Sequence, residues 1–171
     1  MRSDIRTALW GTELKDIIVT GFVENDEQSV RFHALWRAVY FECNGVLLKM
    51  ATVGDSGRMR LALVHSVCCE AELDDDMLPA SSSVRLQVLR DPDGSNVLTA
   101  IRLWNINESL EEIQCAAARL DLINGQRIFV DPSYYFGIRL GGREQEEVWE
   151  ENWFDPRRED VEIALSEHST V

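Results

Sequence analysis

The stretch VRFHALWRAVYFECNGVLLKMATV, residues 30–53, decides the fold class. Its first half admits two readings, because Phe32, Leu35, Trp36, Val39 and Tyr40 also fit a helical stripe. The second half breaks the tie. Asn44-Gly45 sits between two apolar runs. A type I′ hairpin turn needs positive φ at both central residues, and Asn-Gly adopts it at least steric cost. The segment therefore reads as strands over 30–34 and 36–43, kinked near Leu35, then a strand over 46–53. A two-residue turn pairs Cys43 with Val46. Gly54-Asp55-Ser56-Gly57 closes a second hairpin onto a strand over 58–68, and that spacing pairs Val46 with His65. Side chains alternate along a strand, so Val39, Phe41, Cys43, Leu48, Met50, Leu61, Leu63 and His65 fall on one face.

Upstream, DIIVTGFV (16–23) is rich in β-formers, and ENDEQS (24–29) reads as a polar turn. In residues 1–15, Ser3 is placed to cap a short helix carrying Ile5, Leu9 and Trp10. Downstream, EAELDDDMLPASSS (70–83) is the least structured stretch. It reads as a connection between two halves of a sheet system, or between two subdomains. Residues 84–89 read as a strand, Asp91–Asn96 as a turn and VLTAIRLWN (97–105) as a strand. Strands over 113–123 and 126–131 flank a second Asn-Gly, Asn124-Gly125, and Pro132 is expected to end that hairpin because it has no N–H for a ladder. SYYFGIRL (133–140) reads as one more short strand and 143–153 as a helix. The expected architecture is α+β and predominantly antiparallel β. Meander hairpins form a sandwich or barrel with one or two short helices, in a single domain over 1–171. The only weak subdivision is near 70–83, and an acidic helix and tail occupy 143–171.

Thirty acids oppose seventeen bases among 171 residues, a net charge of −13. That opposes nucleic-acid binding, in which Lys and Arg replace condensed counterions, and it opposes docking on anionic lipid. It favours a basic protein partner, or plain solubility. Residues 142–171 carry ten acids and three bases. A second acidic cluster is Glu70, Glu72, Asp74, Asp75 and Asp76. No apolar run approaches the ~20 residues of a membrane span. The stretch MRSDIRTALWGTELKD has early acids and no leader-like apolar run, so a cytoplasmic location is expected, with Cys43, Cys68, Cys69 and Cys115 reduced.

Candidate chemistry is sparse. Cys43 and His65 share a face but lie two strands apart, with backbones ~9–10 Å from each other, whereas a thiolate–imidazole pair needs about 3 Å. His33, His65 and His168 are scattered, so no metal and no cofactor are expected. The loop from Asp91 lacks the glycine and the glutamate of a calcium loop: Asn96 and Arg102 stand in their places. Gly141-Gly142 precedes Glu144, Glu146 and Glu147, which repel phosphate. An enzyme built on this chain would need a dispersed active site.

The C-terminal helix is the most distinctive feature. Glu144, Glu147 and Glu151 share one face, and Val148, Trp149, Asn152 and Trp153 cluster at helical spacing, with Phe154 next. One reading packs the tryptophans on the sheet. The other makes them an aromatic anchor rimmed by acid, with Glu144, Glu146, Glu147, Trp149, Glu150, Glu151 and Trp153 as the partner-binding surface. The function expected on the second reading is a cytoplasmic, acidic inhibitor that binds a basic protein. Toxin-immunity proteins are the analogue, in size and charge alone, and a DNA mimic is a variant of the same idea. An alternative is a small-molecule-binding β domain whose pocket is lined by Tyr134, Tyr135, Phe136 and Trp104.

Overall fold

In a computed structural model, residues 1–26, 29–75, 77–109, 112–153 and 159–167 are described. Asp76, Phe154 and His168, singled out above, lie outside them. Among the described residues the chain forms two antiparallel sheets, with no closed barrel. The Asn44-Gly45 turn behaves as its chemistry dictates. Both residues have positive φ, 51° and 84°, and join β2 (Ser29–Cys43) to β3 (Val46–Thr52) with Cys43 opposite Val46. The register carries on into β4 (Met59–Val64), where Leu47 faces Val64. That strand stops one residue short of His65.

β1 (Leu14–Asp26) and β5 (Met77–Ser83) extend this sheet on one side, and β8 (Ile113–Cys115) and β7 (Asn107–Glu108) on the other, in the order β5-β1-β2-β3-β4-β8-β7. The smaller sheet runs β11-β10-β9-β6-β12. Its strands are β6 (Leu98–Trp104), β9 (Ala117–Leu122), β10 (Arg127–Tyr134), β11 (Gly137–Gly141) and β12 (Val161–Ala164). Helices α1 (Arg2–Leu9), α2 (Arg85–Val88) and α3 (Arg143–Asn152) complete the fold.

Several expectations are corrected. The kink near Leu35 is real, but β2 is one strand. Val19 faces Val39 and Gly21 faces Ala34, so the single residue Thr20 spans four residues of β2, a wide bulge. Residues 77–83, read as part of a connection, pair with β1 as an edge strand, where Pro79 is tolerated because the outer side needs no N–H. Residues 84–89 are a helical turn rather than a strand. Val84 N–H still bonds Ile17 O, and the chain then curls so that Leu89 N–H reaches Arg85 O. The stretch 113–123 serves both sheets: β8 pairs with β4, the chain crosses at Ala116, and β9 pairs with β6. Pro132 does not end its strand but sits where the β10–β11 register shifts, between Asp131 and Tyr134. At the second Asn-Gly only Gly125 takes positive φ, and the Asn124 side chain accepts from Gln126 N–H instead. Ser3 does not cap α1, whose N-cap is Met1.

The register explains the core. Ile17, Val19, Val39, Phe41, Leu48, Met50, Leu61 and Ile113 on the large sheet face Ile101, Leu103, Leu120, Ile128 and Val130 on the small one, in one apolar cluster. The remaining faces differ. Over the large sheet's outer face, the chain after β4 is held by Tyr40, whose hydroxyl donates to Cys68 O and accepts from Cys68 N–H. On the small sheet, the outer face presents Arg102, Trp104, Arg119, Asp121, Arg127, Phe129 and Asp131, and α3 lies across its β10–β11 side.

Candidate functional site

Aromatic, ionic and hydrogen-bond contacts fix α3 to the sheet. Trp149 is 4% exposed and meets Trp104 and Phe129 with ring centroids 6.0 and 5.8 Å away. Glu146 is 6% exposed, and its Oε1 lies 2.6 Å from Arg119 Nη1. The Arg119 guanidinium is further tied to Asp121 at 2.8 Å. Burial works against its charge, but the hydrogen bonds and charges of Asp121 and Glu146 outweigh it and raise its pKa.

The expected partner surface therefore divides. Trp149 and Glu146 belong to the packed interface beneath the helix and are not available as an anchor or a steering charge. Glu150 is exposed, yet its Oε1 accepts from Trp104 Nε1 at 3.1 Å. Trp153 is half-buried and stacks on Trp149 at 5.1 Å. Glu144, Glu147 and Glu151 point to solvent, with Glu147 paired to Arg143 across one turn at 2.8 Å. The physical reason is the helical period: positions 146, 149 and 153 face the sheet, and positions 144, 147 and 151 face away.

The aromatic triplet after Pro132 occupies the turn between β10 and β11. Tyr134, Tyr135 and Phe136 are 46%, 91% and 69% exposed. They contact one another edge-on, at 5.6 and 5.1 Å, and Arg139 lies over the Tyr134 ring at 5.7 Å. The turn is seated by Gly137, whose φ is 108° and whose Cα packs against the Trp36 carbonyl at the β2 bulge. Trp104 is fully buried elsewhere, so it does not join the triplet around a pocket.

Between α3 and the end of β10 lies a cleft of about 210 Å³, lined by Asp131, Ser133, Gln145, Val148, Trp149, Asn152 and Trp153. Asp131 is 5% exposed; its Oδ1 accepts from Ser133 N–H and Oγ, and its Oδ2 from Gln145 Nε2 at 3.1 Å. Asp-Pro-Ser is the residue pattern of an Asx turn, a signal the sequence carried for this corner. A wider, open cleft of about 700 Å³ near Met1, Arg2, Ile106, Asn107, Glu108 and Glu159 is bridged by the Arg2–Glu108 ion pair.

Elsewhere, burial pushes the Cys43 thiol up to about 12, and the thiol donates to Phe41 O. Such a thiol is no nucleophile at neutral pH. Among the described residues no three His, Cys, Asp or Glu side chains converge as metal ligands, and no helix is long and apolar enough to cross a membrane. No protein-family model matches the chain, and no curated protein and no solved structure matches it.

Proposed function

We propose that this chain is an acidic protein-binding module acting in the cytoplasm, and that it inhibits a basic protein such as a toxin. The observation that carries the reading is the Tyr134–Phe136 turn. Three large aromatic side chains stand out at one hairpin tip, seated at Gly137 against the Trp36 carbonyl, with Arg139 over the Tyr134 ring. Exposing them serves no packing purpose, and Tyr and Arg are the residue types enriched at interface hot spots. The acids of α3 supply the second half. Glu144, Glu147 and Glu151 present a negative row that attracts a basic partner at long range. The anchor thus moves from the tryptophans of α3 to the hairpin tip beside it.

Two variants test this. The Tyr135→Ala/Phe136→Ala protein and the wild type serve as baits in lysate of the native cell, and the captured proteins are identified. A basic protein held by the wild type and lost by the tip variant is expected. With that protein purified, Glu144→Gln/Glu147→Gln/Glu151→Gln should slow association and flatten its salt dependence, and the tip variant should speed dissociation. Equal capture by both baits refutes the anchor.

A further inference from the structure

The cleft beside α3 is a cation site in its chemistry, and we infer that it receives the ε-ammonium group of a lysine on the partner. This rests on the protein-binding reading above. Four features carry it. First, Asp131 is a nearly buried carboxylate for which neutral groups supply the hydrogen bonds, and no Lys or Arg pairs with it among the described residues. A buried, uncompensated charge is costly, so a visiting cation gains most there. Second, the polar wall includes acceptors. Gln145 donates one amide N–H to Asp131 and Asn152 donates one to Val148 O, and each amide keeps a second N–H and an oxygen able to accept. Third, the stacked indoles of Trp149 and Trp153 form the remaining wall, and indole faces attract ammonium groups. Trp153 Nε1 is buried and has no hydrogen-bond partner among the described residues. Fourth, Glu144 and Glu151 flank the lining residues Val148 and Asn152 at helical spacing, so the approach is negative.

The geometry selects lysine over arginine. A guanidinium binds a carboxylate best in a two-pronged fork that needs open lone pairs on both oxygens. Asp131 Oδ1 already accepts two hydrogen bonds and Oδ2 one, so a single acceptor position remains. A point-like ammonium with three donors uses that position together with the two amide oxygens.

The test is an NMR titration of the tryptophan indole N–H signals, with Trp153→Phe assigning its own. The probes are Nα-acetyl-lysine N-methylamide, its Nε-acetylated form and the arginine analogue. The lysine probe should shift the Trp149 and Trp153 signals saturably. The neutral and arginine probes should bind at least about tenfold more weakly, as the loss of a charge-assisted hydrogen bond implies. Asp131→Asn should weaken the lysine probe by a similar factor. Should that variant fail to fold, Trp153→Leu and Gln145→Leu, which spare the Asp131–Ser133 turn, must each weaken it. Equal binding of the three probes, no shift in the wild type, or folded variants that bind as the wild type does would each overturn the inference. The Tyr135→Ala/Phe136→Ala protein lies outside the cleft and must bind the lysine probe normally. A failed titration therefore leaves the tip reading standing, and failed capture leaves the cleft standing.

Discussion

Replacing Glu146 by Gln should destabilise the fold, whereas the same change at its neighbour Glu147 should not. Glu146 and Arg119 are both more than nine-tenths buried, 2.6 Å apart, and Asp121 shares the guanidinium. Glu146→Gln keeps the shape and a neutral acceptor but removes the charge. The difference between a charge-assisted and a neutral hydrogen bond sets the loss at about 1–2 kcal/mol. Arg119→Met is harsher. It leaves Glu146 and Asp121 only the longer contacts to Arg127, at 3.9 and 3.7 Å. Breaking a buried pair from one side costs about 3–5 kcal/mol. Removing both partners, in Arg119→Met/Glu146→Leu, substitutes apolar packing for the ion pair and should recover most of that loss, since such replacements are often close to neutral. Glu147 pairs with Arg143 in the open, and an exposed i,i+4 pair contributes about 0.3–0.5 kcal/mol. Urea unfolding at fixed salt, with the slope checked for constancy, reads all of these. The reasoning fails if Glu146→Gln unfolds with Glu147→Gln, or if the double variant loses the sum of its single changes.

Three further outcomes follow from named contacts. Cys43 and Cys115 have thiols raised by burial to about 12 from 9.0, so stability is intact below pH 9 and falls as the pH rises towards 12, where only the unfolded thiols ionise. Each should cost about 1.4 kcal/mol at pH 10, and melts of Cys43→Val/Cys115→Val should show a smaller drop between pH 8 and 10. Gly137→Ala would put a Cβ 2.3 Å from the Trp36 carbonyl oxygen at a φ of 108°, and thermal melts should report a loss of at least about 2 kcal/mol. Gly45→Ala, with open space around it, should lose only about 1 kcal/mol. Tyr135→Ala and Phe136→Ala should leave stability within about 0.5 kcal/mol of wild type, because neither ring is part of the core.

What the sequence disclosed depended on how local the cause was. Asn44-Gly45 is a local device, and it fixed the pairing of Cys43 with Val46 and, by counting, of Leu47 with Val64. The strand at 77–83 has no local signal. Its serines and Pro79 look like a connection, and only the free edge of β1 makes a strand of them. The same holds for 113–123, where a continuous β pattern hides a change of sheet at Ala116. For the site, helical periodicity grouped Glu144, Glu147 and Glu151 correctly on one face. It could not say that Glu146 has an arginine beneath it, because Arg119 comes from a strand 27 residues earlier. The triplet Tyr134–Phe136 was visible as composition, but its exposure is a consequence of the turn at Gly137 meeting the bulge of β2.

The acidity of the C-terminal region is therefore two different charges. One part is internal. Glu146 meets Arg119, Asp160 lies 3.9 Å from Arg102, and Glu150 takes the Trp104 indole N–H, all on a sheet face that would otherwise present arginines to solvent. That part closes the fold; Glu146 and Asp160 lie against arginines and add little to the field a partner meets, whereas Glu150, bonded to a neutral indole at the surface, keeps its charge. The other part is external. Glu144, Glu147 and Glu151 span seven residues of helix, about 10 Å, which is close to the Debye length of ~8 Å at physiological salt. Charges that near to one another act on an approaching cation as a group, and they lie beside a cleft whose buried carboxylate has no cation of its own among the described residues. A count of acids in the sequence adds the two parts together. Only charges without a close cation can steer a partner, and their effect should vanish at high salt while the ion pair under α3 persists.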